Sequence, residues 1–150
     1  MNKDNTFSVE KAEDSSGFLL WQVTNLWQRE IKKALQPFDL THSQFVILAS
    51  THWLSIQKIE ATQIILSQHT KIDPMTTSQV LRALQKKEFI SRKEHITDTR
   101  AKTIEITDHG KETIKKAVIA VEAFDREFFS KLDTSQQEFN RNLQSLLKHQ

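Results

Sequence analysis

The alternation of apolar and polar positions predicts a mainly helical chain with one short β hairpin. Six segments place their apolar residues at the three- and four-residue spacing of a helix. These segments are residues 18–36, 42–56, 62–69, 74–87, 111–132 and 134–148. Two others, 89–93 and 103–107, have the pattern of short strands. In the second of these, Ile104 and Ile106 alternate with polar residues, which is typical of a strand with one buried face.

The order of these elements predicts the fold class. Two helices, a helix–turn–helix, a two-stranded hairpin and two further helices follow one another along the chain. We therefore predict a mainly α fold with a small two-stranded β wing, in which a winged helix–turn–helix over residues 41–108 is flanked by N- and C-terminal helices over 17–36 and 111–148. Residues 1–16 mix charged and polar side chains without an apolar run, so we expect a disordered or loosely attached N-terminus.

Several helix starts carry residues whose side chains can accept a hydrogen bond from the first turn. A Thr with Gln three residues later forms the capping-box pattern twice. The two pairs are Thr41 with Gln44 and Thr134 with Gln137. Asp73 followed by Pro74 is a further start signal, because Asp can cap a helix and Pro suits its first position, where the N–H has no partner.

Composition then excludes several classes of protein. The 150 residues fit one domain and contain no Cys and only two Gly, so disulfides, thiolate metal sites and glycine-rich phosphate loops are excluded. The chain has no signal peptide and no run of about 18 apolar residues, so we expect a cytoplasmic protein without membrane contact. The six His lack metal-binding spacing and no catalytic motif is present, so we expect no metal, no cofactor and no enzymatic activity.

The net charge of +2 becomes informative when it is divided along the chain. Residues 82–102 hold seven basic and three acidic side chains, a local excess of +4. Such an excess is a modest electrostatic footprint for a polyanion. The alternative is an ordinary solvated surface.

The predicted helix 74–87 has the residue types that a helix in the DNA major groove needs. Its first turns hold short polar side chains, and basic residues follow. The predicted DNA contacts in this helix are Thr76, Thr77, Ser78, Gln79, Arg82 and Lys86. Arg100 and Lys102 lie at the polar wing over 94–102, where an Arg can enter the minor groove. The alternatives are that Thr and Ser only cap the helix and face water, and that the wing is a solvated turn.

Two segments of the chain resemble those of a known family. Residues 73–90 are similar to the recognition helix of the MarR (multiple-antibiotic-resistance regulator) family. Asp98-Thr99-Arg100-Ala101, followed by Ile106-Thr107 and then Gly110, resembles the family's wing motif. The likeness covers roughly residues 18–148, and the distance between helix and wing motif is its most specific part.

The resemblance implies a homodimer in which the N- and C-terminal helices of two subunits form the dimerisation region. Each subunit then presents its recognition helix, about 74–87, and its wing to one half of a pseudo-palindromic operator in double-stranded DNA. By the same resemblance, Arg100 enters the minor groove and Asp98 orients the wing through an ion pair. The family's basic partner for that Asp is absent because Ala83 occupies its position, so Arg82 or Arg92 is expected to replace it. Glu88 stands where the family has Gly, which strains the backbone if a positive φ is required.

Members of the family often bind aromatic acids between the dimerisation helices and the winged domain. The residues that would line such a cleft here are Trp21, Phe45, His52 and Trp53. The alternative is that these side chains belong to the core and to the dimer interface.

The predicted function is therefore a dimeric DNA-binding transcriptional regulator, a repressor, that a small aromatic effector releases from its operator. The alternative is a winged-helix module that binds a protein or a ligand and has no sequence-specific DNA binding.

Overall fold

The computed structural model describes Asp4, residues 6–94 and residues 102–148 of the chain. The helices are α1 (Ser16–Leu35), α2 (His42–Ile56), α3 (Gln63–Thr70), α4 (Pro74–Lys86), α5 (Asp108–Phe129) and α6 (Gln136–Leu147). The strands are β1 (Ala61–Thr62), β2 (Ile90–Glu94) and β3 (Lys102–Ile106). Short 3₁₀ helices occupy Ala12–Asp14, Gln36–Phe38 and Ser130–Ser135. Within the described ranges, no helix combines the length and the apolarity that crossing a membrane requires.

Two of the predicted helix starts are confirmed by their caps. Thr41 Oγ1 accepts the Gln44 backbone N–H at 3.2 Å, and Gln44 Oε1 accepts the Thr41 N–H at 3.2 Å, so the capping box is complete. Asp73 Oδ1 accepts the Thr76 N–H at 2.9 Å, and Pro74 is the first residue of α4. These local signals succeed because each needs only four consecutive residues.

The ends of the C-terminal helices differ from the prediction. α5 begins at Asp108 rather than 111, because Thr107 caps it by accepting the Gly110 N–H at 2.9 Å. The predicted capping box of Thr134 and Gln137 is wrong: Thr134 lies inside the 3₁₀ segment, and α6 begins at Gln136 without a side-chain cap. Asp133 adopts φ 50° and ψ −123°, and this bend leads directly into α6.

The sheet has three strands where the sequence predicted two. Its order is β1-β3-β2, and both pairs are antiparallel. The hairpin pairs Ile90 with Ile106 and Arg92 with Ile104, as expected for two strands of the wing. β1 contributes only two residues, pairing Ala61 with Ile104 on the other side of β3. So short a strand has no sequence pattern of its own and depends on its partner.

The core joins the winged domain to the flanking helices. It includes buried side chains from α1, α2, α3, α4, α5 and the sheet. The largest fully buried ones are Ile31, Leu35, Ile47, Leu48, Leu66, Leu81, Leu84 and Ile114. α2 is central, as its apolar sequence predicted, but Trp53 and Ile56 near its end are exposed.

Two apolar surfaces lie outside this core. The first half of α1 carries a row of exposed large apolar residues, and α6 buries no residue in this chain. The exposed apolar residues are Phe18, Leu19, Leu20, Trp21, Val23 and Leu26 on α1, and Leu143, Leu146 and Leu147 on α6. Residues 6–14 before them are exposed as well.

Candidate nucleic-acid interface

The helix–turn–helix consists of α3, a short turn and α4. Lys71 ends α3 in the left-handed conformation with φ 66°, which turns the chain sharply. Ser67 Oγ donates to the Ile72 carbonyl at 2.6 Å and holds the turn against α3. Gln63 Nε2 donates to the Pro74 carbonyl at 3.3 Å and connects the start of α3 to the start of α4.

Four exposed side chains form a row along α4. They are Met75, Gln79, Arg82 and Lys86, and their spacing of four, three and four residues places them on one side of the helix, whereas the exposed Gln85 lies beside the row. The opposite side packs into the core through Val80, Leu81 and Leu84. We call the four exposed residues the α4 stripe. It includes three of the six DNA contacts predicted for this helix, together with one residue that was not predicted.

The threonines at the start of α4 have different roles from those predicted. Thr77 is 0% exposed, and its hydroxyl donates to the Asp73 carbonyl at 2.9 Å. Thr77 therefore belongs to the core, and we withdraw it from the predicted DNA contacts. Thr76 is half-buried, and its hydroxyl donates to Asp73 Oδ2 at 2.7 Å. Ser78 is half-buried beside the stripe.

Met75 is a residue of this face that was not among the predicted DNA contacts. It is apolar, like the core residues Val80, Leu81 and Leu84 of the same helix, yet it is 73% exposed. Its exposure could have been predicted from the register, because Met75 lies four residues before Gln79 and does not share the side of Leu81 and Leu84.

Contacts at the base of the wing explain why Thr107 and Gly110 follow the second wing strand. Thr107 Oγ1 donates to the Glu88 carbonyl at 2.8 Å, and the Thr107 N–H donates to the Phe89 carbonyl at 3.1 Å. Gly110 lies directly against this strand: a Cβ built on it would be 2.1 Å from the Phe89 carbonyl oxygen. Glu88 has φ 63°, the left-handed conformation that favours glycine. The backbone strain that the sequence predicts at Glu88, if a positive φ is required there, is thus confirmed.

Arg82 and Arg92 form a basic pair between α4 and the wing. Arg92 on β2 is half-buried, and within the described ranges its buried Nε and Nη2 atoms have no hydrogen-bond partner. Burial lowers the pKa of the Arg92 guanidinium, and the nearby charge of Arg82 lowers it further. An anion near these two guanidinium groups would offset their mutual repulsion. Asp98 and Arg100 lie outside the described residues, so the predicted ion pair of Asp98 with Arg82 or Arg92 stays a prediction.

Part of the positive charge near the wing is neutralised within the chain. Lys87 Nζ donates to the Asp39 carbonyl at 2.7 Å and to Gln44 Oε1 at 2.9 Å, and it lies 3.5 Å from the Asp39 carboxylate. Lys93 pairs with Glu105 at 2.9 Å. Lys102 is exposed at the start of β3. Lys87 therefore fixes the end of α4 against the start of α2. The sequence did not indicate this role, because Lys87 stands among several other basic residues.

The four residues predicted to line an effector cleft differ in exposure. Trp21 on α1 and Trp53 on α2 are 67% and 54% exposed, whereas Phe45 packs against the core. His52 Nδ1 is buried and has no hydrogen-bond partner in the part of the chain that the structure describes. Burial lowers the pKa of His52, and the charges of Lys115 and Lys111 lower it further. Lys111 and Lys115 both lie on α5, so two cations of that helix contribute to the electrostatic environment of His52.

A polar contact between the two flanking helices, with a ring contact to the winged domain beside it, was not predicted. Trp27 Nε1 donates to Asp125 Oδ1 at 2.8 Å, which joins α1 to α5. The Trp27 ring contacts His42, at the start of α2, with 4.9 Å between ring centroids. Burial lowers the pKa of His42, while the charge of Asp125 opposes that shift. His42 also lines a cavity of about 590 Å³ between α1 and α2.

No group of three or more His, Asp and Glu side chains suited to hold a metal ion occurs within residues 6–94 and 102–148. The helix–turn–helix, the three-stranded wing sheet and the exposed polar stripe on α4 instead define a winged-helix protein of the class that binds DNA.

Comparisons with known proteins agree with this class. A family model described as the ArnR1-like winged-helix domain matches residues 36–122. The uncharacterized HTH-type transcriptional regulator YdcH of Bacillus subtilis is 40% identical over 136 residues, 91% of this chain and 92% of YdcH. The HTH-type transcriptional repressor Rv2887 of Mycobacterium tuberculosis is 29% identical over 131 residues, 87% of this chain and 91% of that protein.

Solved structures share the fold over nearly the whole chain. A MarR-family transcriptional regulator from Rhodococcus sp. RHA1 superposes with a TM-score of 0.81 at 23% identity, over 95% of this chain and 99% of that one. MepR of S. aureus, solved as a DNA complex, gives a TM-score of 0.80 at 22% identity, over 91% of this chain and 97% of that one. The chain belongs to the ArnR1-like winged-helix family and to the HTH-type transcriptional regulators, and its fold is that of solved MarR-family regulators.

Proposed function

We propose that the protein is a homodimeric transcriptional repressor that binds a pseudo-palindromic operator, with α4 in the major groove and the wing over 94–102 in the minor groove. The observation that carries this proposal is the α4 stripe, in which Gln79, Arg82 and Lys86 are exposed in one row. Gln can bind adenine through two hydrogen bonds, and Arg can bind guanine or a phosphate. The DNA complex of MepR and the repressor name of Rv2887 support the same role.

The apolar surfaces of α1 and α6 support dimerisation. Leu20 and Trp21 on α1 and Leu146 on α6 are large, apolar and exposed in this chain. Exposed apolar surfaces of this kind are typical of an interface with a second subunit. Sedimentation analysis of the purified protein should give twice the mass of one chain, and Leu146→Glu should shift the equilibrium toward the monomer.

A mobility-shift assay with the DNA upstream of the protein's own gene tests operator binding. We expect a specific complex whose affinity falls steeply as salt rises, because Lys and Arg release counterions from the phosphates. Arg100→Ala should weaken operator binding by about tenfold or more at moderate salt, since it removes the minor-groove cation. Binding that does not depend on salt, or that Arg100→Ala leaves unchanged, contradicts this part of the proposal.

We propose further that a small aromatic acid acts as effector near Trp21, Phe45, His52 and Trp53. The buried Nδ1 of His52 and the charges of Lys111 and Lys115 beside it provide groups for a carboxylate. Adding a panel of aromatic acids to the mobility-shift assay should release the DNA. His52→Ala should abolish that release without changing the affinity for DNA alone.

The second candidate is a winged-helix module that binds a protein or a ligand without sequence-specific DNA binding. Two observations favour it: Ala83 replaces the family's basic residue, and Lys87 is paired within the chain. The same mobility-shift assay separates the candidates, because this module would form no sequence-specific complex.

A further inference from the structure

We propose that Met75 is a specificity-determining residue that contacts the C5-methyl group of a thymine in the major groove. This inference rests on the proposed DNA-binding function and adds a base preference to it.

Met75 begins the α4 stripe. It is 73% exposed and lies one helical turn before Gln79 and two turns before Arg82, on the same side of the helix. Single exposed apolar residues are common on protein surfaces. This one, however, lies on the row of side chains that faces DNA if α4 enters the major groove, so it would be covered by base edges on binding.

The first turn of α4 has little hydrogen-bonding capacity left for a base. The Thr76 hydroxyl donates its hydrogen to Asp73 Oδ2 at 2.7 Å, and the Thr77 hydroxyl donates to the Asp73 carbonyl at 2.9 Å. Asp73 itself accepts from both the hydroxyl and the N–H of Thr76. The Met75 thioether and the Thr76 methyl are therefore the groups that this turn can offer, and both are apolar.

The thymine C5-methyl is the apolar group that base edges present in the major groove. Methionine suits such a contact, because its flexible and polarizable side chain adapts to the surface that it covers. The backbone below it is well fixed: Asp73 caps the helix, Pro74 restricts its first residue, and Gln63 Nε2 donates to the Pro74 carbonyl at 3.3 Å. The structure thus combines a rigid start of α4 with an adaptable apolar tip.

The test removes one methyl group from the DNA and one side chain from the protein. The full-length protein first selects its binding site from random duplexes. Each thymine of the selected site is then replaced by uracil, which keeps every hydrogen-bonding group and lacks only the C5-methyl. Affinities are measured by fluorescence anisotropy for the wild type, for Met75→Ala and for the control Ile64→Ala, whose side chain on α3 is 68% exposed.

At one thymine position in each half-site, uracil should weaken wild-type binding about fourfold, the factor that corresponds to the burial of one methyl group. Met75→Ala should bind the thymine and uracil duplexes with equal affinity. Ile64→Ala should keep the wild-type ratio between the affinities for the two duplexes. The assignment is overturned if no selected thymine is sensitive to uracil, or if Met75→Ala keeps the full effect. If the protein selects no sequence and binds no duplex, the proposed function fails, and the assignment of Met75 fails with it.

Discussion

Replacing Gly110 by Ala tests the contact that holds the wing against α5. Gly110 is the third residue of α5, and a Cβ built on it would lie 2.1 Å from the Phe89 carbonyl oxygen and 2.9 Å from Ile106 Cγ1. The nearest atom belongs to the backbone, so turning a side chain cannot relieve the overlap. Ala at this position must therefore push Phe89 and the start of β2 away from α5.

The expected magnitude follows from the contacts that this movement strains. Thr107 makes two hydrogen bonds to the displaced segment, one from its N–H to the Phe89 carbonyl and one from its hydroxyl to the Glu88 carbonyl. Losing both costs about 2 kcal/mol. Overpacking of the surrounding core adds roughly 1–3 kcal/mol, and the better helix propensity of Ala offsets about 1 kcal/mol. We expect the free energy of unfolding to fall by about 2–4 kcal/mol in total.

The other glycine of the chain provides a matched control. Gly17 is the second residue of α1, and among the described residues no atom beyond its chain neighbours and its own turn of helix lies within 4 Å of a Cβ built on it. Gly17→Ala should therefore leave the free energy of unfolding unchanged or raise it by up to about 1 kcal/mol. Urea unfolding, followed by tryptophan fluorescence and circular dichroism, compares both variants with the wild type. All three proteins are measured at one chain concentration, because the stability of a dimer depends on it.

A Gly110→Ala variant as stable as the wild type would refute the reasoning, because it would mean that the strand and α5 can separate at no cost. The reasoning would also be refuted if Gly17→Ala lowered the free energy of unfolding more than Gly110→Ala does.

Four further predictions concern other parts of the molecule. Glu88→Gly should raise the free energy of unfolding by up to about 1 kcal/mol in a urea titration, because it relieves the left-handed φ of 63°; a destabilised variant would contradict this. Arg82→Ala should reduce the slope of log affinity against log salt by about one in a DNA-binding titration. Lys87→Ala should leave that slope unchanged and lower the free energy of unfolding by about 1–2 kcal/mol, because it loses its bonds to α2 and the preceding loop. Burial lowers the pKa of His42 below 6.5, so its contribution to stability is present above that pH and is lost as the pH falls. His42→Phe should therefore make the fall of stability between about pH 7 and 5 less steep.

The parts of the fold that the sequence predicted correctly are those controlled by neighbouring residues. The caps at Thr41 and Asp73 need one side chain and the next turn, and both form as expected. β1 was missed because Ala61 is in a strand only through its pairing with Ile104, more than forty residues further on. The cap expected at Thr134 fails because Asp133 bends the chain first, and nothing in a four-residue pattern announces that bend.

The DNA contacts of α4 were predicted from residue type, and that prediction was only partly correct. Thr77 was predicted to contact DNA because it is polar, yet it is buried, and the exposed Met75 was not among the predicted contacts. Burial of Thr77 is tolerated because its hydroxyl donates to a carbonyl of the preceding turn. The helical register, set by Leu81 and Leu84 on the core side, decides which residues are exposed, and it outweighs the polarity of a single side chain.

The positions of the basic side chains in the structure say more about DNA binding than the excess of +4 counted over residues 82–102. Of the basic residues between 82 and 102, Lys87 and Lys93 are paired within the chain, and Arg92 is half-buried. The exposed cations of α4 are Arg82 and Lys86, on the same stripe as the side chains that would read bases. In the proposed complex, phosphate contacts and base contacts would therefore come from the same helix. A substitution that tilts α4, such as loss of the Lys87 anchor, should weaken specific binding more than nonspecific binding, because base contacts depend more strongly on geometry than phosphate contacts do.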